Sequence, residues 1–412
     1  MKKNCWMATF GLVLSVSFCS ASFASDQIEL APLLHKIIGQ HPEIRAAQAE
    51  RDALLLEIDQ DQAWQNPEFE LGVGQKNDGS RSGIAFETVL TQRLAFPGKL
   101  DAKKKAAIAS VTLQTQEIHR IKLNLWYDAT IAAYEWESAV RQVDINQRRG
   151  KRLTWIKQYL TSRPLVSPQK QLESRLIESH LKRIQIDTLH LNAQKESSRV
   201  VFQAIIGQPI AHVSLPPIPL NRLDFFPSHN VSAQNPNILK IRAQLAQIES
   251  ETRVLEWEDR PDFNLSGKYA SESATETEQI LGLGIAMDLP FSSKNRLAVQ
   301  AQNSRKKGVE AQMEQAMTEA EVRYQTARLT LQQSQDVLTI VNPNWLNQLE
   351  HSVEKSIEDF KKGQTDLRSV LDLESQWVAA AQQKFDAEEA WITAWATLMQ
   401  LNGVSKLPGD SL

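Results

Sequence analysis

The sequence contains two unusually long stretches with almost no helix-breaking residues. From Lys99 to Tyr159 there are 61 residues with no proline and a single glycine, Gly150. At 1.5 Å per residue, a continuous helix of that length is about 90 Å long. A second stretch, Ser293–Phe360, has 68 residues and a predicted kink at Asn342-Pro343. Helices in globular domains are usually three or four turns long, so the chain is predicted to be an elongated, mainly helical protein.

The sequence also repeats itself with a nearly constant offset. Residues 66–71 return 194 positions later as residues 260–265, and Trp64 has a counterpart 193 positions later in Trp257. An offset that is held across several landmarks indicates a duplication. We therefore predict a first repeat at residues 25–214, a proline-rich linker at 215–234 and a second repeat at 235–412.

Both repeats are predicted to contain the same elements in the same order. An amphipathic helix comes first and is stopped by a proline, because proline has no N–H to continue the hydrogen-bond ladder. Two segments with alternating apolar residues follow, which is the pattern of strands with one apolar face. The predicted strands are residues 67–75 and 83–94, then 261–271 and 279–289, and long helical hairpins are predicted at 99–207 and 293–402.

The predicted returning helix of the second hairpin has an apolar residue at every seventh position. These residues are Leu371, Val378, Phe385, Ile392 and Met399. A spacing of seven is typical of a coiled-coil seam. We therefore expect the two helices of a hairpin to pack as an antiparallel coiled coil.

The first 24 residues have the pattern of an export signal. Lys2-Lys3 precede the apolar stretch Trp6–Phe18, and small residues occupy positions 22 and 24. The apolar stretch is too short to cross a bilayer as a helix. Cys5 and Cys19 both lie in this segment, so its removal leaves a mature chain without thiols. The large residue before Cys19 disfavours lipidation of this cysteine. Lipidation of Cys19 nevertheless stays an open alternative.

Charge and motif content argue against nucleic-acid binding and against catalysis. With 46 basic and 49 acidic residues the net charge is −3, which offers no basic surplus for a phosphate backbone. No P-loop sequence occurs, and the glycine pairs in the predicted strands lack the third glycine of a dinucleotide fingerprint. The eight histidines show no metal-binding spacing. We predict no enzyme activity, no cofactor and no metal site.

The predicted strands pose a problem of closure. A strand of about ten residues, tilted by about 45°, spans an outer membrane. Four strands cannot form a closed barrel, and an open sheet edge in lipid leaves backbone groups unpaired. Several copies of the chain would have to join, and twelve or more strands could enclose a channel. Periodicity alone leaves two alternatives open: soluble hairpins packed on helices, and a periplasmic coiled-coil adaptor or scaffold without a barrel.

These features together resemble the TolC-like outer-membrane efflux family. The resemblance covers the whole mature chain and is most specific at residues 92–100 and 360–372. Within the first of these, Pro97-Gly98-Lys99 is similar to the heavy-metal, cobalt–zinc–cadmium branch. The resemblance implies mainly helical chains with membrane β-structure, which form a homotrimer in outer-membrane lipid. It implies a twelve-stranded barrel and a periplasmic helical tunnel that docks on a periplasmic adaptor (membrane fusion) protein and an inner-membrane RND transporter.

The resemblance also implies functional residues. Asp372 matches an acidic gate position of the family, whereas Ser369 occupies a position at which relatives carry a second acid. Adaptor contacts are expected at two helix tips, formed by Arg163, Pro164, Leu165, Val166 and Ser167 and by Gly363, Gln364, Thr365 and Asp366. The implied function is a passive exit duct, with metal cations as the expected cargo and organic toxins or type I secretion substrates as alternatives.

Overall fold

The computed structural model describes residues 28–77, 82–162, 168–219, 231–273, 277–287 and 294–408. The predicted signal peptide, residues 1–24 with Cys19, lies outside the described residues. So do the first helix tip (Arg163, Pro164, Leu165, Val166 and Ser167) and residues 220–230 of the predicted linker. The described part is mainly helical with a four-stranded sheet, which confirms the predicted fold class at that level.

The first repeat is dominated by one very long helix. Its elements are β1 (Ile28–Glu29), α1 (Leu30–Ile38), α2 (Pro42–Gln62), β2 (Glu68–Asn77), β3 (Ser82–Leu94), α3 (Lys99–Thr161), α4 (Pro168–Ile206) and β4 (Val213–Ser214). Helix α3 has 63 residues and is therefore about 95 Å long.

The second repeat has the same order of helices and sheet strands, except that its outgoing helix is divided and that β1 and β4 have no counterparts among its described residues. Its elements are α5 (Val231–Gln234), α6 (Pro236–Glu258), β5 (Phe263–Ser273), β6 (Thr277–Met287), α7 (Lys294–Ile340), α8 (Pro343–Lys362) and α9 (Leu367–Leu401). The kink predicted at Asn342-Pro343 is a complete break. Pro343 is the first helical residue of α8, and Asn342 caps α8 by accepting a hydrogen bond from the Trp345 N–H at 2.9 Å.

The four-stranded sheet has the order β2-β3-β5-β6, with every neighbouring pair antiparallel. The register places Phe69 opposite Leu90, and Phe263 opposite both Leu94 and Met287. The strands start just after Pro67 and Pro261, not at them as the predicted bounds had it, because proline cannot donate to the ladder. The pairing of β3 with β5 joins the two repeats in one sheet.

Within the described residues, three buried clusters hold the helices together. The equatorial core joins the middle of α3 to α7 and to the carboxyl ends of α4 and α9, and includes Tyr127, Phe202, Tyr324 and Leu398. The distal core lies near the carboxyl end of α3. It consists of Leu153, Ile156, Leu160, Ile177, Ile184, Leu367, Val370 and Leu371. A smaller cluster packs α2 on α3. Burial of this apolar surface is the main source of stability in the described part of the chain, which contains no cysteine.

The residues at sevenfold spacing in α9 face the packed side of that helix. Leu371, Phe385, Ile392 and Met399 are buried, and Val378 is half-buried. Among the described helices, none carries an apolar stretch long enough to cross a lipid bilayer.

Candidate functional site: a two-faced sheet and a helical tip

Large apolar side chains cover one face of the sheet. None of them belongs to the buried clusters that hold the helices together. Leu283 is 90% exposed, Leu281 86% and Ile285 76%. The other apolar side chains on this face are Phe69, Leu71, Val73, Ile84, Phe86, Leu90, Leu265, Tyr269 and Met287, all of them exposed. Exposed apolar patches of this extent mark contact with a membrane or a partner.

The opposite face of the sheet is polar or lined by small residues. It carries Glu70, Glu87, Asn264, Ser266 and Lys268, with glycine or alanine at about half of the remaining positions and Val89 and Ile280 as apolar exceptions. The Lys268 Nζ lies 2.7 Å from a carboxylate oxygen of Glu87 on the neighbouring strand. The sheet therefore separates an apolar side from a charged side.

Both outer strands of the sheet have an open edge. Within the described residues, β2 pairs only with β3 and β6 only with β5. An open edge presents unpaired N–H and C=O groups that another strand can satisfy. The sheet can thus be extended by a further strand at each of its two edges.

The turn from β3 into α3 is fixed by a carboxylate from the second repeat. Asp262, just before β5, accepts hydrogen bonds from Lys99 Nζ at 3.0 Å and from the Phe96 N–H at 3.1 Å. Arg93 Nη2 lies 3.2 Å from its other oxygen. Burial by itself would raise the pKa of Asp262, but the hydrogen bonds from Lys99 and Phe96 and the charges of Lys99 and Arg93 hold that pKa below its ordinary value.

An aromatic side chain closes the same turn. Gly98 has φ +93°, and a Cβ at this position would lie 2.8 Å from the Trp257 ring. The Arg260 guanidinium lies over the Trp257 ring at 4.1 Å from its centre and over the Phe96 ring at 5.3 Å. The glycine is therefore required for two reasons, its left-handed backbone and the close approach of the indole.

At the other end of the molecule, residues 363–366 connect α8 to α9. Gly363, with φ +74°, ends α8 in the left-handed conformation that favours glycine. Gly363, Gln364 and Asp366 are exposed and Thr365 is half-buried. Asp366 begins α9 as its N-cap, and its carboxylate accepts a hydrogen bond from the Ser369 N–H at 2.9 Å. Its hydrogen bonds with Ser369 are the main cause of a lowered pKa for Asp366.

Ser369 and Asp372 lie three residues apart on α9, and both are exposed. This spacing places them on one face of the helix. The opposite face carries Leu367, Val370 and Leu371 into the distal core. The structure therefore brings the two predicted gate residues together at the tip.

The tip is attached to α3 by aromatic and polar contacts. The Tyr159 hydroxyl donates a hydrogen bond to the carbonyl oxygen of Lys361 at 2.7 Å. Lys361 Nζ lies 4.1 Å from the centre of the Trp155 ring, and Tyr159 also contacts the Phe360 ring. The end of α8 is thus held on α3 by contacts that include one hydrogen bond to its backbone.

A buried cluster of charges next to the distal core was not found by sequence reasoning. It consists of Arg149 and Arg152 on α3, Glu350 on α8 and Glu374 on α9. Burial raises the pKa of Glu374 to about 7, although the charges of Arg149 and Arg152 act to lower it. The sequence contains one indication of this cluster. Glu374 lies seven residues after Leu367, at a position of the helix where an apolar residue is expected.

No group of three or more histidine, cysteine, aspartate or glutamate side chains is placed to hold a metal ion within the described part of the chain.

Comparison with known proteins supports the same interpretation. The family profile described as OEP: Outer membrane efflux protein matches residues 228–404, which is less than half of the chain and corresponds to the second repeat. A search of curated protein sequences gives no match.

Solved structures of similar fold include proteins described as outer-membrane or transmembrane channels. The open-state MtrE outer membrane channel of Neisseria gonorrhoeae has a TM-score of 0.76 at 14% identity, over 92% of this chain and 90% of that chain. CusC, described in terms of transmembrane channel formation, has a TM-score of 0.75 at 13% identity, over 91% and 92%. The Campylobacter jejuni CmeC outer membrane channel has a TM-score of 0.72 at 12% identity, over 100% and 96%. At these identities the likeness shows the fold alone.

Proposed function

We propose that this chain is one protomer of an outer-membrane efflux channel, a passive exit duct that spans the outer membrane with its sheet and the periplasm with its helices. The fold shared with known channels and the family match of the second repeat support this function. The single observation that carries it is the sheet, which has one apolar face, one charged face and two open edges.

The sheet's geometry supports assembly into a homotrimer. Four strands cannot enclose a lumen, and an open edge in lipid is too costly to persist. Three copies would supply twelve strands, enough to enclose a channel with the charged face inside and the apolar face in lipid. In that arrangement, β6 of one copy pairs with β2 of the next, as β3 pairs with β5 within the chain.

The helical tip supports docking of further components. Gly363, Gln364, Thr365 and Asp366 would contact a periplasmic adaptor that serves an inner-membrane RND transporter, and Ser369 and Asp372 would line the periplasmic gate. Metal cations are the proposed cargo on the resemblance of Pro97-Gly98-Lys99 to the heavy-metal branch. A conduit should bind such ions weakly, because tight sites would stop flow.

The function is tested by placing the same charge on either face of β6. Leu283→Arg puts a cation on the apolar face, where it costs about 2–4 kcal/mol at the middle of a bilayer. Ala286→Arg puts it on the charged face, which would face water. We expect Leu283→Arg to lose detergent-resistant trimers from the outer-membrane fraction and Ala286→Arg to keep them. Equal yields from both variants would favour a periplasmic scaffold without a barrel and contradict the proposal.

A further inference from the structure

The buried charge cluster lies where four helices meet. Arg152 stacks on the Trp377 ring of α9 with its guanidinium carbon 4.2 Å from the ring centre. The same guanidinium lies 3.3 Å from a carboxylate oxygen of Glu350 on α8, which Arg148 also approaches at 3.2 Å. The cluster therefore connects α3 to both helices of the tip.

Glu374 is the most buried member of the cluster, and it shares with Arg149 and Arg152 the lack of hydrogen bonds at buried polar atoms. It is 2% exposed, and its Oε1 has no hydrogen-bond partner among the described residues. The nearest cation, Arg149 Nε, is 4.0 Å from its other oxygen, beyond hydrogen-bond distance. A carboxylate buried without hydrogen bonds prefers its neutral, protonated form.

The groups around Glu374 come from every packed helix. Arg149 and Arg152 face it from α3, and Glu350 approaches Arg152 from α8. On α4, Asp187 lies 3.9 Å from Arg149, while His180 has a pKa lowered by burial and by the charges of Arg149 and Arg183. On α9 itself, Asp372 is exposed on the far side. Arg149 and Arg152 thus each interact electrostatically with a second acidic residue as well as with Glu374.

The tip also has a place at which it can move. Helix α8 is separate from α7 and joined to it through Val341 and Asn342, which are not helical. The far end of α9 is fixed in the equatorial core by residues such as Trp395 and Leu398. Displacement of α8 and the start of α9 from α3 would therefore expose Glu374 without unfolding the rest of the chain.

We infer that Glu374 makes the docking of α8 and α9 on α3 depend on one bound proton, so that the periplasmic end of the duct opens more readily as the pH rises. This inference rests on the proposed channel function. The pKa is about 7 in the docked arrangement and falls towards its ordinary value of 4.5 when the side chain reaches water. Between these values the docked form holds a proton that the undocked form releases, so docking weakens as the pH rises and levels off above about pH 7.

The first test measures docking directly, without reference to a pore. Hydrogen exchange of α8 amides is compared between wild type and Glu374→Gln at the same pH, so that intrinsic exchange rates cancel. We expect the ratio of the wild-type exchange rate to the Glu374→Gln exchange rate to rise about tenfold from pH 6 to pH 8, because the docked wild-type chain loses its bound proton over this range. Glu358→Gln, which removes one exposed acid from α8, serves as the control and should match wild type at both values. A ratio of the two exchange rates that is the same at pH 6 and at pH 8 overturns the inference.

The second test links docking to the pore. In planar lipid bilayers, the open fraction of wild-type trimers should rise about tenfold from pH 6 to pH 8. The open fraction of Glu374→Gln trimers should be the same at both pH values. Pores with the same pH response in both proteins overturn the inference and leave the channel function intact. If hydrogen exchange shows the expected pH dependence but the chain forms no pores, the channel function is rejected and the proton-linked docking of α8 and α9 is kept.

A second variant keeps the inference testable if Glu374→Gln fails to fold. Arg149→Gln removes the cation nearest to Glu374, so the pKa of Glu374 should rise further and the midpoint of the exchange transition should move to higher pH. Simple loosening of the packing would speed exchange at every pH without moving the midpoint. An unmoved midpoint would therefore overturn the inference as well.

Discussion

Two tryptophans at corresponding points of the repeats have opposite surroundings. Trp257, at the end of α6, is half-buried against Gly98 and beneath Arg260. Trp64, just beyond α2, is 73% exposed. The carboxylates that follow them differ in the same way, because Asp262 is bonded to Lys99 and Phe96 whereas Glu68 is exposed.

The cause of this difference lies in the order of the sheet. The start of the second repeat adjoins the end of β3, so Trp257 and Asp262 meet the turn into α3. The start of the first repeat lies beside the same end of β3, where Gln92 Nε2 donates a hydrogen bond to the Gln65 carbonyl oxygen at 2.8 Å, but the Trp64 ring is left exposed at the open edge of the sheet. Corresponding landmarks thus form a closed junction in the second repeat and an open one in the first. In the proposed trimer, a second copy would complete the open one.

The largest effect expected at the closed junction follows from Gly98→Ala. The left-handed backbone costs about 1–2 kcal/mol for alanine, and the overlap with Trp257 adds about 1–3 kcal/mol. Gly363→Ala at the tip is the matched control, since it has a similar φ with open space around the new Cβ and should lose only the backbone cost of about 1–2 kcal/mol. Denaturant unfolding followed by circular dichroism measures both. Equal losses would contradict the close approach of the indole.

The second effect compares the two tryptophans directly. Trp257→Ala should lower the unfolding free energy by about 2 kcal/mol, roughly half of the cost at a fully buried site. Trp64→Ala should change it by less than about 0.5 kcal/mol in the single chain but reduce the yield of trimers. A loss of single-chain stability from Trp64→Ala as large as that from Trp257→Ala would show that the two junctions do not differ.

The smallest effect compares the two carboxylates. Asp262→Asn should cost about 1.5 kcal/mol, the value of a hydrogen bond to a charged group, and Glu68→Gln less than about 0.5 kcal/mol. Because the pKa of Asp262 is lowered in the folded chain, its contribution is fully present above about pH 4 and is lost at lower pH as the carboxylate is protonated. Unfolding of both variants from pH 3 to pH 7 tests this, and a pH-independent difference between Asp262→Asn and wild type would refute it.

Much of the fold could be predicted from local pattern. The absence of proline in α3 predicts its length, and the alternation around Leu71 and Leu283 predicts strands with one apolar face. The complete break at Asn342 was underestimated as a kink, because the sequence does not show whether a proline will be tolerated inside a helix or will start a new one. The predicted gate and adaptor-contact roles of Asp372 and the tip residues stay predictions.

The sequence by itself determined the periods, the duplication and the polarity of each sheet face, since these depend on residues close together in the chain. Only the tertiary structure decided that β3 pairs with β5, that Trp257 is covered while Trp64 is not, and that Glu374 is buried between two arginines. Those outcomes depend on groups that are distant in sequence, and their energies come from desolvation and close packing, which a local pattern does not contain.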